Sequence, residues 1–184
     1  MKRFFAWAAR FFGRSVRRRR RAGPDLRVAE DMRFNAVPRT ITLRSPAFGS
    51  GERLPLDASP PLEWSGVPPE AKTLVLVVED VDVPFPRPLT HAVAYAIAPA
   101  TTALERAALD GAHAGVTMGY NNGGTLRYAE PAPLPGAAPH RFVFTVLAVD
   151  FVPRFDQPPT RERLLDAVAG HVCALGELIG LAER

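Results

Sequence analysis

Three apolar runs dominate the chain: Leu74–Val78, Ala92–Ala98 and Phe142–Val149. Each is short, rich in branched residues and fed or closed by proline-containing stretches, which predicts buried strands. Thr40–Leu43 alternates polar and apolar, the pattern of a strand with one wet face, and Leu62-Glu63-Trp64 reads as a short strand before the turn Ser65–Pro69. TTALERAALDG, residues 101–111, predicts a short helix. A longer helix is expected over Thr160–Ala182, where Leu164, Val168, Val172, Leu175 and Ile179 share one face and Thr160 follows Pro158-Pro159 as an N-cap. His171 lies on that apolar face and reads as a hydrogen-bonded core histidine. Cys173 lies opposite, with no nearby histidine to make it a nucleophile. Between 115 and 139 the chain is irregular, with Asn121-Asn122-Gly123-Gly124 as a flexible turn.

Composition supports many short strands. Nineteen prolines in 184 residues disfavour a helical bundle and suit stiff loops. One cysteine excludes an intrachain disulfide. No stretch approaches the roughly 20 apolar residues that a membrane-spanning helix needs.

Charge divides the chain. The net +4 conceals nine basic residues and no acid in residues 1–22, against 14 basic and 19 acidic residues in the remainder. The body is therefore mildly acidic, and any attraction to nucleic acid or anionic lipid belongs to the tail. Arg10 interrupts the tail's apolar run, most of the charge follows that run, and no small-residue cleavage site follows, which argues against a signal peptide. On a helical wheel Phe4, Phe5, Trp7, Ala8, Phe11, Phe12 and Val16 share one side, with Arg3, Arg10, Arg14 and Arg17 on the other. That is the pattern of a helix lying in an anionic membrane interface; an RNA-binding arm and a tail without a specific partner are the rival readings. The expected organisation is a tail over 1–22, a linker over 23–39 and one domain over 40–184, in a cytoplasmic protein held peripherally at the inner membrane.

Candidate chemistry sits at the ends of the three runs. Glu79-Asp80-Val81-Asp82 closes the first, His91 opens the second and His140 opens the third. Strand ends hold polar side chains rigidly at the mouth of a pocket. If these ends meet, two imidazoles and a carboxylate can bind a divalent metal with an open position, or the imidazoles can donate to a phosphate or carboxylate while Asp80 orients one of them. No H-x-x-x-H or C-x-x-C pairing decides between them. G-x-S-x-G and a glycine-rich phosphate loop opening a helix are both absent, which disfavours serine-type and nucleotide chemistry. His113, in a Gly/Ala loop, has no assigned role.

Several pieces in order resemble the phosphatidylethanolamine-binding protein family in its bacterial Raf-kinase-inhibitor-like branch. They are Leu43-Arg44-Ser45-Pro46-Ala47-Phe48, Ser59–Pro68, Asp80-Val81-Asp82-Val83-Pro84, Thr90-His91, Pro131–Gly136 and His140-Arg141-Phe142, within about residues 41–182. The resemblance implies a mainly β protein, a sandwich of two antiparallel sheets with a C-terminal helix. It implies a small anion pocket lined by Asp80, His91, Pro133, His140 and Phe142, with the Pro131–Pro135 loop as one wall, and a cis Val83–Pro84 bond. The chain departs from the family pattern at Val81, where proline is usual, at Ala92, where tryptophan is common, and at Phe142, where tyrosine is usual. Those changes imply a persistent pocket with one fewer hydroxyl donor. The expected function is a non-enzymatic binding protein, without a cofactor, for a phosphate-bearing small molecule or phospholipid headgroup. A kinase or protease partner and a homodimer are further expectations. A metal-dependent hydrolase using Asp80, His91 and His140 is the alternative.

Overall fold

A computed structural model describes residues 27–136 and 138–183. The tail residues assigned to membrane contact, Phe4, Phe5, Trp7, Arg10, Phe11, Phe12 and Arg14, lie outside the described residues. The strands are β1 (Thr42–Arg44), β2 (Glu52–Arg53), β3 (Leu62–Ser65), β4 (Thr73–Asp80), β5 (Leu89–Ile97), β6 (Ala103–Leu104), β7 (Thr117–Gly119), β8 (His140–Val149) and β9 (Val172–Ala182). The α-helix α1 spans Arg161–Val168. A three-stranded antiparallel sheet, in the order β1-β3-β6, faces a six-stranded sheet in the order β2-β9-β8-β4-β5-β7. Every pairing in the larger sheet is antiparallel except β2 with β9, which is parallel.

The larger sheet is covered on both faces, which explains why its central strands read as continuous apolar runs rather than alternating ones. All eight residues of β4 are buried. Leu74, Leu76, Val78, Ala92, Phe142 and Phe144 point towards the small sheet and pack with Leu43, Leu62 and Trp64. Val75, Val77, Val93 and Leu147 point the other way, against Leu164, Leu165 and Val168 of α1 and against Val28, Ala29 and Phe34. The described part of the stretch read as a linker thus contributes three core residues and belongs to the body. Each such large apolar side chain stabilises the fold by about 1.5–3 kcal/mol on full burial.

The helix expected over 160–182 is a third of that length. Thr160 caps α1 by accepting from the Arg163 N–H, but Ala169 leaves the helical conformation and Gly170 adopts φ +80°, a left-handed stop that glycine supplies without strain. The chain then extends as β9 and pairs with β8 from Val172 to Ala182. Gly176 sits where a Cβ would come 2.2 Å from the Ile41 carbonyl oxygen, so this strand needs its glycine for close approach. His171, expected in a core, is exposed in the short connection, where its Nδ1 meets Asp150 Oδ1 at 2.9 Å. Residues 101–111 also form no helix. Ala103–Leu104 adds an edge strand to β3, and Ala107 takes φ +66° while its N–H donates to the Ser59 carbonyl. Val83–Pro84 is trans, as is every peptide bond among the described residues.

Candidate functional site

Three chain segments meet at one end of the larger sheet. β4 ends at Asp80 and β8 starts at His140, and the antiparallel register sets Asp80 opposite Phe142. That offset lets the two side chains close on each other, with His140 Nδ1 and Asp80 Oδ2 2.7 Å apart. Asp80 Oδ1 accepts from the Asp82 N–H at 3.0 Å, a local turn that fixes the carboxylate plane. Asp82 in turn grips Arg141: its carboxylate accepts from the Arg141 backbone N–H, Nε and Nη2 at 2.9, 2.8 and 2.7 Å. Two acids spaced by two therefore brace two consecutive basic residues across the strand pair, a bidentate contact stronger than a neutral hydrogen bond.

His91 reaches the same place through a bulge in β5. Val78 pairs with Ala92 and Glu79 with Thr90, so His91 is the extra residue between them, and a bulge of this kind re-aims the side chain it carries. Its Nδ1 lies 2.6 Å from the Ala129 carbonyl oxygen, and the Ala129 N–H donates back to the His91 carbonyl at 2.8 Å. Because a carbonyl only accepts, Nδ1 carries the proton. Nε2 is then an acceptor in the neutral ring, and a donor only in the cation. That Nε2 is buried with no hydrogen-bond partner among the described residues. The ring stands edge-on to Phe142, with centroids 4.6 Å apart, and 6.5 Å from Tyr128.

The loop that supplies Ala129 is well braced, contrary to the flexible turn expected at 121–124. Asn121 Nδ2 donates to Thr125 Oγ1 and to the Arg127 carbonyl, both at 2.8 Å, and its Oδ1 accepts from the Gly123 and Thr125 N–H groups. Asn122 ties this loop to β5 through the Thr90 carbonyl, at 3.0 Å. Pro131 and Pro133 are buried in the segment that leads into His140, while Leu134 is exposed.

Electrostatics divides the two imidazoles. The hydrogen bond to Asp80 raises the pKa of His140 above its ordinary value against partial burial, and the Asp80 and Asp82 charges add to the rise. Burial pushes the pKa of His91 below its ordinary value; the Ala129 carbonyl and the Asp80 charge oppose that shift and His140 reinforces it. Burial also raises Asp82, but the bonds and charge of Arg141 outweigh it and hold this carboxyl low. The arrangement can therefore present a cationic donor at His140 and a neutral acceptor at His91. Among the described residues no three His, Cys, Asp or Glu side chains are placed to hold a metal ion. Asp80, His91 and His140 come together as the sequence suggested, with Phe142 among them and Pro133 in the adjoining loop. Asp82, Arg141, Asn121 and Ala129 were missed. A pair of acids at 80 and 82 and a pair of basic residues at 140 and 141, each at the end of an apolar run, were the one signal available for the first two. A separate shallow groove, lined by Thr42, Arg44, Glu63 and Trp64, lies on the small sheet and shares no residue with this site.

The family model described as phosphatidylethanolamine-binding protein matches residues 44–183. A protein named UPF0098 from Methanothermobacter thermautotrophicus is 38% identical over 153 residues, covering 78% of this chain and 99% of that protein. One of the same name from Chlamydia trachomatis is 37% identical over 158 residues, covering 78% of this chain and 99% of its own. Among solved structures, a putative phosphatidylethanolamine-binding protein homologue from Chlamydia trachomatis is 36% identical with a TM-score of 0.71, covering 79% of this chain and 98% of that one. An Escherichia coli member of the mammalian family matches in fold, with a TM-score of 0.72 at 24% identity, over 79% of this chain and 99% of its own.

Proposed function

We propose, for a chain that belongs to the phosphatidylethanolamine-binding protein family, a binding protein whose ligand carries a phosphate and a hydrogen-bond donor near it. His140 donates to the phosphate from its Nε2, Asp80 holds the His140 ring and favours its charge, and His91 Nε2 accepts from the donor. Phe142 and the loop around Pro133 form the apolar wall. A phosphoethanolamine headgroup meets that requirement through its ammonium, and hydrogenphosphate meets it through its P–OH. The ligand is bound and released unchanged. The tail, residues 1–22, holds the protein at an anionic membrane surface.

The observation that carries this reading is the buried, partnerless Nε2 of a histidine whose other nitrogen is locked to Ala129. A buried polar atom left unsatisfied costs about 1–3 kcal/mol, so a ligand that satisfies it recovers that energy. Calorimetric titration with inorganic phosphate and with glycerophosphoethanolamine tests the reading and separates the two sources. His140→Ala removes a charge-assisted bond of about 1.5–3 kcal/mol and is expected to weaken either ligand about 10- to 100-fold. His91→Ala is expected to weaken both ligands, since the ammonium of one and the P–OH of the other lose the same acceptor. Unchanged affinity in both variants contradicts the proposal.

A further inference from the structure

The chain has three asparagines, and one of them, Asn122, precedes a glycine. Asn122 and Gly123 are the exposed central residues of a turn that the Gly124 N–H closes on the Asn121 carbonyl at 3.0 Å. An Asn–Gly pair leaves a side-chain amide open to attack by the next backbone nitrogen, because glycine carries no Cβ to obstruct the approach. The Gly123 nitrogen, its proton taken by hydroxide, bonds to Asn122 Cγ. The Cγ–Nδ2 bond breaks, and Nδ2 takes a proton from water and leaves as ammonia. Water then opens the cyclic imide at either carbonyl, giving aspartate or isoaspartate.

Asn121 opposes the first of these steps. The residue is buried, and its Oδ1 accepts from the Gly123 N–H at 2.9 Å and from the Thr125 N–H at 3.0 Å. Taking the proton from Gly123 breaks the first of these bonds and leaves an amide anion facing the negative end of a carbonyl. The donations from Nδ2 to Thr125 Oγ1 and the Arg127 carbonyl hold that oxygen in place. A second restraint acts on the group under attack. Asn122 Oδ1 accepts from the Thr90 N–H, which fixes the amide that has to swing to close the ring.

The tie to Thr90 gives the modification a consequence. Asn122 also donates its N–H to the Thr90 carbonyl at 3.0 Å, so it holds both main-chain groups of the residue before His91. Isoaspartate lengthens the main chain by a carbon and shortens the side chain, so the two bonds no longer form together. The bulge that aims His91 then loses the tie beside it. We infer that Asn122 is a site of spontaneous deamidation, guarded by the Asn121 side-chain oxygen, and that its conversion to isoaspartate loosens the bulge carrying His91. This holds whatever ligand the histidines take.

The test ages the full chain at pH 8, folded and in urea, and reads conversion at residue 122 by peptide mass spectrometry. Conversion in the folded chain is expected to be about tenfold slower or more, the effect of one such hydrogen bond on a barrier. Asn121→Ala, shown to be folded by circular dichroism, is expected to regain most of the urea rate. Asn121→Asp keeps an acceptor for the Gly123 N–H but loses the donations to Thr125 and Arg127, and it is expected to stay slow. Equal rates for the parent chain in buffer and in urea overturn the guard without any variant. A slow Asn121→Ala or a fast Asn121→Asp overturns it as well. In aged protein the His91 imidazole NMR signal is expected to split into native and modified forms, while that of His171 stays single. A single His91 signal at half conversion overturns the link to the bulge.

Discussion

Glu79 and Asp80 are adjacent acids at the end of one strand, and the pleat sends them to opposite faces. Glu79 enters the face covered by α1 and the N-terminal segment, where it is fully enclosed. Arg161 Nε donates to it at 2.7 Å and the Val28 N–H at 2.9 Å. Burial raises its pKa, while Arg161 and Val28 favour the ionised form. Asp80 enters the other face, where one oxygen holds a turn and the other holds a histidine that is itself partly exposed. On the first face every polar atom of the acid is used to tie three chain segments together. On the second the acid orients a group that still has a nitrogen to offer. Satisfaction on one side secures the strand, and incompleteness on the other leaves the nitrogen that the proposed ligand would use.

The largest expected effect breaks the Glu79 side. Arg161→Ala takes the guanidinium from a buried carboxylate and is expected to cost about 3–5 kcal/mol in urea denaturation, with phosphate binding by the remaining folded protein unaltered. A loss of binding without a loss of stability reverses the contrast between the faces.

Asp80→Asn attacks the other side. It is expected to lower phosphate affinity by about tenfold or more, since it removes the group that favours the His140 cation. The pH dependence follows from the raised pKa. A histidine favoured as its cation in the fold contributes stability that is fully present below the unfolded value of about 6.5 and is lost as pH rises through the higher folded value. Urea midpoints from pH 5 to 9 are expected to show that loss in the parent and not in Asp80→Asn. Anion affinity is expected to fall over the same window.

Two smaller changes sharpen the comparison. Thr160→Ala removes the cap of the helix that carries Arg161 and is expected to cost about 1 kcal/mol in stability, with ligand affinity untouched. Phe142→Tyr adds a hydroxyl beside His91 and is expected to strengthen phosphate binding by about 0.5–1.5 kcal/mol, read by calorimetry. Weaker binding in that variant means the ring does not border the ligand.

β4, β5 and β8 were legible because strands covered on both sides leave continuous apolar runs, and the meeting of Asp80, His91 and His140 was legible because these residues end those runs. The C-terminal segment misled because Leu164, Val168, Val172, Leu175 and Ile179 keep a helical spacing across a boundary that local sequence marks only with glycine. Gly170 stops the helix, and Gly176 must lie against the Ile41 backbone. What no local pattern carries is pairing across long separations. Glu79 finds Arg161 82 residues away, and Asp82 finds Arg141 59 residues away. The Ala129 contact is made by a main-chain carbonyl, which any residue provides, so its identity holds no signal. The parallel addition of β2 to β9 is likewise a property of the assembled sheet.

The central claim is that His91 and His140 face one ligand in unlike protonation states, and imidazole NMR tests it within a single sample. His113 and His171, both exposed, serve as internal references. The account predicts that His140 titrates above the ordinary imidazole value and His91 below it, and that added phosphate shifts His91 and His140 alone. His91 and His140 titrating together, both unmoved by phosphate, contradict it.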